Sequence, residues 1–143
     1  MSWYLLIHQL PAKPAYLRVK VWRRLQDLGA IAVKNAVHAL PMNEETQEDF
    51  EWLLREIVEG GGEAVVCEAR LIDGLSDEGV RALFDQARDA DYEDVAKDAR
   101  ALAKALRPSA KREALAELRA QVARLRKRLA AVAAIDFFGA IGR

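Results

Sequence analysis

The chain has 143 residues, 52% of them hydrophobic and 31% charged, and its formal net charge at pH 7 is zero. That length suits one domain with an extension and a real apolar core. No apolar run approaches the roughly 18 residues of a membrane span, and the first ten residues lack the basic start and cleavage site of a signal peptide. The single cysteine, Cys67, excludes an internal disulfide. We therefore expect a cytoplasmic protein that contacts no membrane.

The zero net charge conceals three segments of opposite sign. Residues 1–41 carry six basic and one acidic side chain, residues 42–100 six basic and eighteen acidic, and residues 101–143 ten basic and three acidic. Such segments can pair within the molecule, pair between subunits or face a polyanion. A uniformly basic nucleic-acid-binding protein would differ, so ordinary ion pairing between the segments stays open as an explanation.

In chain order, Trp3–Leu10 is predicted as a central strand and Ala12–Leu28 as an amphipathic helix. Gly29 can adopt the left-handed conformation that ends such a helix. Residues Ala30–Leu40 are predicted as a bent pair of strands or a hairpin around Lys34-Asn35, since asparagine tolerates turn geometry.

The second helix is predicted to begin at Asn43 and to end at the glycines of residues 60–62. Its core face is predicted from the helical spacing of four apolar residues: Phe50, Leu53, Leu54 and Ile57. The last strand is predicted at Glu63–Ile72, with alternate residues from Val65 to Leu71 on one side. The order βαβ(β)αβ predicts an α+β fold, with a ferredoxin-like domain in residues 1–74.

Residues 75–143 are predicted to form a helical extension. Ser76 is expected to cap a helix that reaches Leu106, Pro108 to interrupt it, and Ser109 to cap a second helix that runs to Ile135. The second helix carries an apolar seam with heptad spacing: Leu115, Leu118, Val122, Leu125, Leu129 and Val132. This pattern predicts an antiparallel helical hairpin that folds back on the domain or pairs with a second chain.

Two basic surfaces are the candidate sites, because contacts to phosphate need long cationic side chains on rigid elements. The first lies on the first helix and the following turn and comprises Arg18, Lys20, Arg23, Arg24 and Lys34. The second lies on the last helix and includes Arg124, Lys127 and Arg128 together with Arg119 and Arg126. Few aromatic residues accompany these cations, so a platform that stacks single-stranded bases is not expected.

Other chemistry is disfavoured by the motifs. His8, His38 and Cys67 could be drawn into a metal or redox site, but His8 and Cys67 have no second ligand at metal-binding spacing, and Cys67 is expected to be a buried, inert thiol. There is no nucleophile elbow, phosphate-binding loop or dinucleotide fingerprint. We therefore expect neither enzymatic activity nor a cofactor, and no resident metal.

Three groups of residues carry a resemblance to a known family. The first is Val21-Trp22-Arg23-Arg24-Leu25 with Leu28-Gly29-Ala30, Val37 and Leu40-Pro41, the second is Phe84-x-x-Ala87-Arg88-Asp89-Ala90-x-Tyr92, and the third is Ala134-Ile135-Asp136-Phe137-Phe138. Together they resemble the N-terminal domain of the chromate-resistance protein ChrB. A weaker likeness extends to the ferredoxin-like middle domain of PaaX-type repressors. ChrB proteins usually continue into a second domain, so this chain is expected to be a short homologue or part of a longer protein.

The resemblance implies a chromate-responsive transcriptional regulator that contacts DNA through its basic helices. Chromate is a dianion shaped like sulfate, and Arg18, Arg23, Arg24 and Lys34 could form a site for it or a related oxyanion. The alternative is a protein-interaction or dimerisation module of a chromate-resistance system that does not bind DNA. The heptad seam favours a homodimer under either interpretation.

Overall fold

The fold was obtained as a computed structural model, which describes residues 1–105 and 112–142. The elements are β1 (Ser2–Gln9), α1 (Ala15–Leu28), β2 (Ile31–Lys34), β3 (Val37–Pro41), α2 (Glu44–Glu59), β4 (Glu63–Arg70), α3 (Asp77–Ala105) and α4 (Arg112–Ala134). The predicted ends at Leu106, Pro108 and Ser109 lie outside the described residues. No helix in the described part of the chain is long and apolar enough to cross a membrane.

The four strands form one sheet in the order β2-β3-β1-β4, and every neighbouring pair is antiparallel. With helices after β1 and β3, this order confirms the predicted ferredoxin-like α+β fold. The register pairs Leu5 with both Ala39 and Cys67 across the central strand. Strand β1 therefore lies between two partners, as the apolar sequence Trp3–Leu10 predicts.

Helix α1 begins later than predicted, at Ala15 instead of Ala12, because Pro14 is extended and occupies the N-cap position. Its end is as predicted: Gly29 has a φ of 75°, and its N–H donates to the carbonyl of Gln26. The hairpin prediction is also confirmed. The turn passes through Asn35 and Ala36, and Ala36 takes the positive φ of 63°.

Helix α2 is fixed at its start by a capping box. The Asn43 side chain accepts the Thr46 N–H at 2.8 Å, while the Thr46 hydroxyl faces the Asn43 N–H at 3.0 Å. The predicted core residues Phe50, Leu53 and Ile57 are buried, whereas Leu54 is half-buried. The predicted cap of α3 is present as well, since the Ser76 hydroxyl accepts the Gly79 N–H.

The sheet has an apolar core on each side. On one face, Leu6 and Leu40 are buried with the inner residues of α1 and α2, and the Tyr4 hydroxyl donates to Gln47 of α2. Side chains alternate along a strand, so Trp3 points to the opposite face. There its ring stacks on Phe84 at a centroid distance of 5.8 Å, and its indole N–H donates to Asp77.

The chain divides into two compact units, Met1–Phe84 and the residues from Asp85 onward. The division falls after the predicted boundary at residue 74, because Trp3 holds the first turns of α3 to the first unit through Asp77 and Phe84. In the second unit, Asp98 of α3 meets Arg128 of α4 and Tyr92 meets Asp136. This descending register confirms that α3 and α4 form an antiparallel pair.

We predict that Asn43→Ala lowers the free energy of unfolding by about 1 kcal/mol, because the Thr46 N–H loses its acceptor at the start of α2. Urea denaturation measures this loss. Gln26→Ala, at an exposed position of α1, serves as the control and should change stability by less than about 0.5 kcal/mol. An Asn43→Ala protein as stable as the unchanged chain would contradict the role of the capping box.

Candidate functional site

Helix α1 presents its cations to solvent because its opposite face is fixed in the core. Leu17, Val21 and Leu25 are buried. The four predicted cations of the helix, Arg18, Lys20, Arg23 and Arg24, are all exposed. A rigid helix that buries one face and exposes cations on the rest has the construction that contacts to phosphate or an oxyanion need.

Glu56 of α2 divides these cations into two classes. Its Oε1 accepts from Arg24 Nη2 at 2.7 Å, and its Oε2 lies 3.9 Å from Lys20 Nζ. The hydrogen bond to Glu56, followed by the charge of Glu56, raises the pKa of Arg24. Lys20 and Arg24 therefore link α1 to α2, which the sequence did not predict, since residue 56 lies far along the chain.

Arg18 and Arg23 have no ion pair with any residue that the structure describes. Their surroundings on α1 include Tyr16, which is 70% exposed, and Trp22, which is 58% exposed. A shallow groove of about 560 Å³ runs along the helix past Tyr16, Val19 and Arg23. The outer face of α1 is thus a mixed cationic and aromatic surface.

Lys34 lies at the end of β2, exposed beside the β2–β3 turn. The turn is adjacent to the end of β1, where His8 N–H donates to the Ala36 carbonyl. Since β1 leads into the start of α1, the topology places Lys34 at the sheet end where α1 begins. The first basic set therefore extends from Arg18 toward this turn, away from the C-terminal end of α1.

The second basic set lies in the other compact unit. Arg128 forms an ion pair with Asp98 at 2.5 Å, and Arg124 lies 3.5 Å from Glu117. Lys127 is exposed and has no ion pair within residues 1–105 and 112–142. Lys127, Arg119 and Arg126 are therefore the members of this set that are available for the predicted phosphate contacts, while the pairing of Arg128 helps to hold α4 against α3.

The heptad seam of α4 is only half-covered. Leu118, Val122, Leu125 and Val132 are half-buried, whereas Leu115 and Leu129 are 45% and 46% exposed. No described residue of α4 is fully buried. The seam accordingly serves the hairpin along one side and leaves an apolar edge open.

Two histidines that lie 30 positions apart in the sequence meet in the sheet. His8 Nε2 and His38 Nδ1 are 3.2 Å apart, because the β1–β3 register brings together residues 30 positions apart. Burial lowers the pKa of both, and the neighbouring His8 adds to the effect on His38, whose pKa falls to about 4. Both rings are therefore neutral near pH 7.

The remaining metal and redox candidates stay apart. Cys67 pairs with Leu5 in the register, so it lies on the sheet face opposite the two histidines, and it is half-buried instead of fully buried. Among the residues that the structure describes, no three His, Cys, Asp or Glu side chains are grouped closely enough to hold a metal ion.

Two of the sequence motifs come together at the open end of the helical pair. Tyr92 donates to Asp136 at 2.8 Å, and Asp136 also accepts the Ala140 N–H. The buried Arg88 donates to the Ile135 carbonyl and lies 3.0 Å from Asp91. These contacts join α3 to the segment after α4, so the two motifs have a structural role in this unit.

The comparisons with known proteins agree with these motifs. A family model described as "Protein ChrB, N-terminal" matches residues 18–143. Protein ChrB of Cupriavidus metallidurans is 26% identical to the chain over 86 residues, which cover 60% of this chain and 26% of that protein. The chain thus aligns with about a quarter of that relative. No solved structure matches the chain significantly.

The histidine pair predicts a pH dependence of stability. The pKa of His38 is about 4 in the folded chain and near 6.5 in the unfolded chain, so the unfolded state binds more protons between these values. Stability should be full above pH 6.5 and fall as the pH drops toward 4. Thermal unfolding of His38→Gln measured across this range should show a shallower fall in Tm; identical curves for both proteins would contradict the lowered pKa of His38.

We predict that Tyr92→Phe lowers the free energy of unfolding by about 1.5 kcal/mol, because the half-buried Asp136 loses a hydrogen bond from the buried Tyr92. Chemical denaturation gives the value. Tyr16→Phe, whose hydroxyl lies on the exposed face of α1, is the matched control and should leave stability unchanged. Equal stabilities of the two variants would show that the Tyr92 contact is not needed.

Proposed function

The chain belongs to the family of the N-terminal domain of ChrB, the chromate-resistance protein named above, and we propose that it is a DNA-contacting regulatory domain. The observation that carries the proposal is the outer face of α1, where Arg18 and Arg23 are exposed and unpaired among the described residues. Guanidinium groups in this state can contact phosphate without first breaking an internal ion pair.

The ion pairs of α1 indicate which of its cations are most available to contact phosphate. Lys20 and Arg24 already face Glu56, so a phosphate contact from either would weaken a link between α1 and α2. Arg18 and Arg23 carry no such cost, and Lys34 extends the positive surface at the end of the sheet where α1 begins. DNA binding is therefore proposed to depend most on Arg18 and Arg23.

Chromate enters the proposal as a competitor for the same groups. It is a tetrahedral dianion, and the exposed guanidinium groups of Arg18 and Arg23 are each a charged donor of the kind that such an oxyanion binds. An oxyanion held there would occupy the groups that bind phosphate and would release DNA. The domain would then couple the presence of chromate to the release of its operator.

The test is fluorescence anisotropy of the whole chain with DNA from upstream of its own gene, at two salt concentrations, with and without chromate. Arg18→Ala combined with Arg23→Ala should weaken binding and reduce the slope of log affinity against log salt by about 2, since each removes about one phosphate contact. Arg100→Ala, which removes an exposed cation paired with Glu93 of α3, is the matched control.

Either of two results would oppose this function. An unchanged salt slope in the double variant would exclude α1 as the phosphate-contacting surface. Binding of the unchanged chain that chromate does not alter would exclude the competition.

The half-covered seam of α4 favours a second candidate function, a protein-interaction or dimerisation module that does not bind DNA. Leu115 and Leu129 remain exposed although α4 already packs on α3. A stable dimer in solution together with no salt-dependent binding of DNA would support this alternative over the first.

A further inference from the structure

Helix α4 combines an open apolar edge with cations on the same face. Leu115, Val122 and Leu129 recur every seven residues, and Arg119 and Arg126 follow the first two of them by four positions. Arg119 and Arg126 are exposed and have no ion pair within the described part of the chain. The surface formed by Leu115, Val122 and Leu129 with Arg119 and Arg126 is called here the α4 edge. It fits a partner surface that is apolar at its centre and acidic around it.

Helix α2 presents the complementary surface in the first compact unit. It carries seven acidic residues and one basic residue between Glu44 and Glu59. Trp52 on this helix is 63% exposed, a large apolar area to leave in water. This surface, called here the α2 face, therefore has an aromatic anchor in an acidic setting.

The acidic residues before Trp52 are not neutralised within the described chain. Glu45, Glu48 and Asp49 lie within two helical turns of Trp52, and none of them takes part in an ion pair among the residues described. Burial, followed by the charges of Glu45 and Glu48, raises the pKa of Asp49. The local cation Arg55 stacks over the Trp52 ring at 5.1 Å, and Arg24 is engaged by Glu56. The α2 face thus holds surplus negative charge.

We propose that two copies of this chain form a two-fold dimer in which the α4 edge of each copy packs on the α2 face of the other. Trp52 would lie against the apolar residues of the α4 edge, and Arg119 and Arg126 would meet the acidic residues before Trp52. Tryptophan and arginine are enriched among the residues that contribute most to the stability of protein interfaces.

A second copy is the favoured occupant because each chain carries both surfaces. A two-fold axis would satisfy both surfaces at once in a closed assembly, with each residue contact occurring twice. The charges agree with this: α4 has six basic and two acidic residues, and α2 has the opposite excess. The proposal is independent of DNA binding, since it uses neither Arg18 nor Arg23.

Charge reversal with rescue tests the proposal on the whole chain. The unchanged protein should sediment as a dimer. Arg119→Glu with Arg126→Glu should raise the dimer dissociation constant at least about tenfold, and so should Glu45→Lys with Glu48→Lys. The four substitutions together should restore most of the affinity, because attraction returns with the signs exchanged. Trp52→Ala should also favour the monomer, with circular dichroism confirming that each variant is folded.

Arg18→Glu with Arg23→Glu is the control, since it reverses two charges outside both surfaces and should leave the dimer intact. Three results would overturn the proposal. They are a monomer at every concentration reached, a dimer that neither pair of charge reversals weakens, or a quadruple variant whose dimer affinity is no higher than that of the two double variants. The last result would show that the two surfaces do not contact each other.

Discussion

The structure depends on covering both faces of the central strand β1. Neighbouring residues of a strand point to opposite sides, so Trp3 and Leu6 cannot share one core, yet both are buried. Helices α1 and α2 cover the side of Leu6, and the first turns of α3 cover Trp3 through Phe84 and Asp77. This requirement explains why the first compact unit extends to Phe84 instead of ending with its last strand.

The same requirement decides which charges are available to a partner. Burying Leu17, Val21 and Leu25 fixes the rotation of α1, and this rotation directs Arg24 toward α2 while Arg23 faces outward. The functional division between paired and unpaired cations is thus a consequence of core packing. Substitutions in the core of α1 would change the surface as well as the stability, so surface variants are the cleaner probes of function.

Local signals in the sequence were sufficient for most elements, because their causes are local. Gly29 ends α1 through its own backbone freedom, and Asn43 caps α2 through a contact three residues away. The pairing of His8 with His38 and of Arg24 with Glu56 could not be predicted in this way. Those contacts depend on strand register and on helix packing, which join positions about 30 residues apart and leave no periodic trace in the sequence.

A net charge of zero does not mean that the charges of this chain compensate one another. Internal pairs such as Arg24–Glu56 and Arg128–Asp98 use some of them, while α1, α2 and α4 each keep an unpaired excess among the described residues. Salt would weaken contacts to DNA and contacts between copies alike, since both are electrostatic and exposed. Salt dependence by itself therefore cannot separate a regulator that binds DNA from a dimerisation module. The two functions can be distinguished by substitution because α1 and α4 lie in different compact units, so that the arginines of one helix can be changed without changing the other.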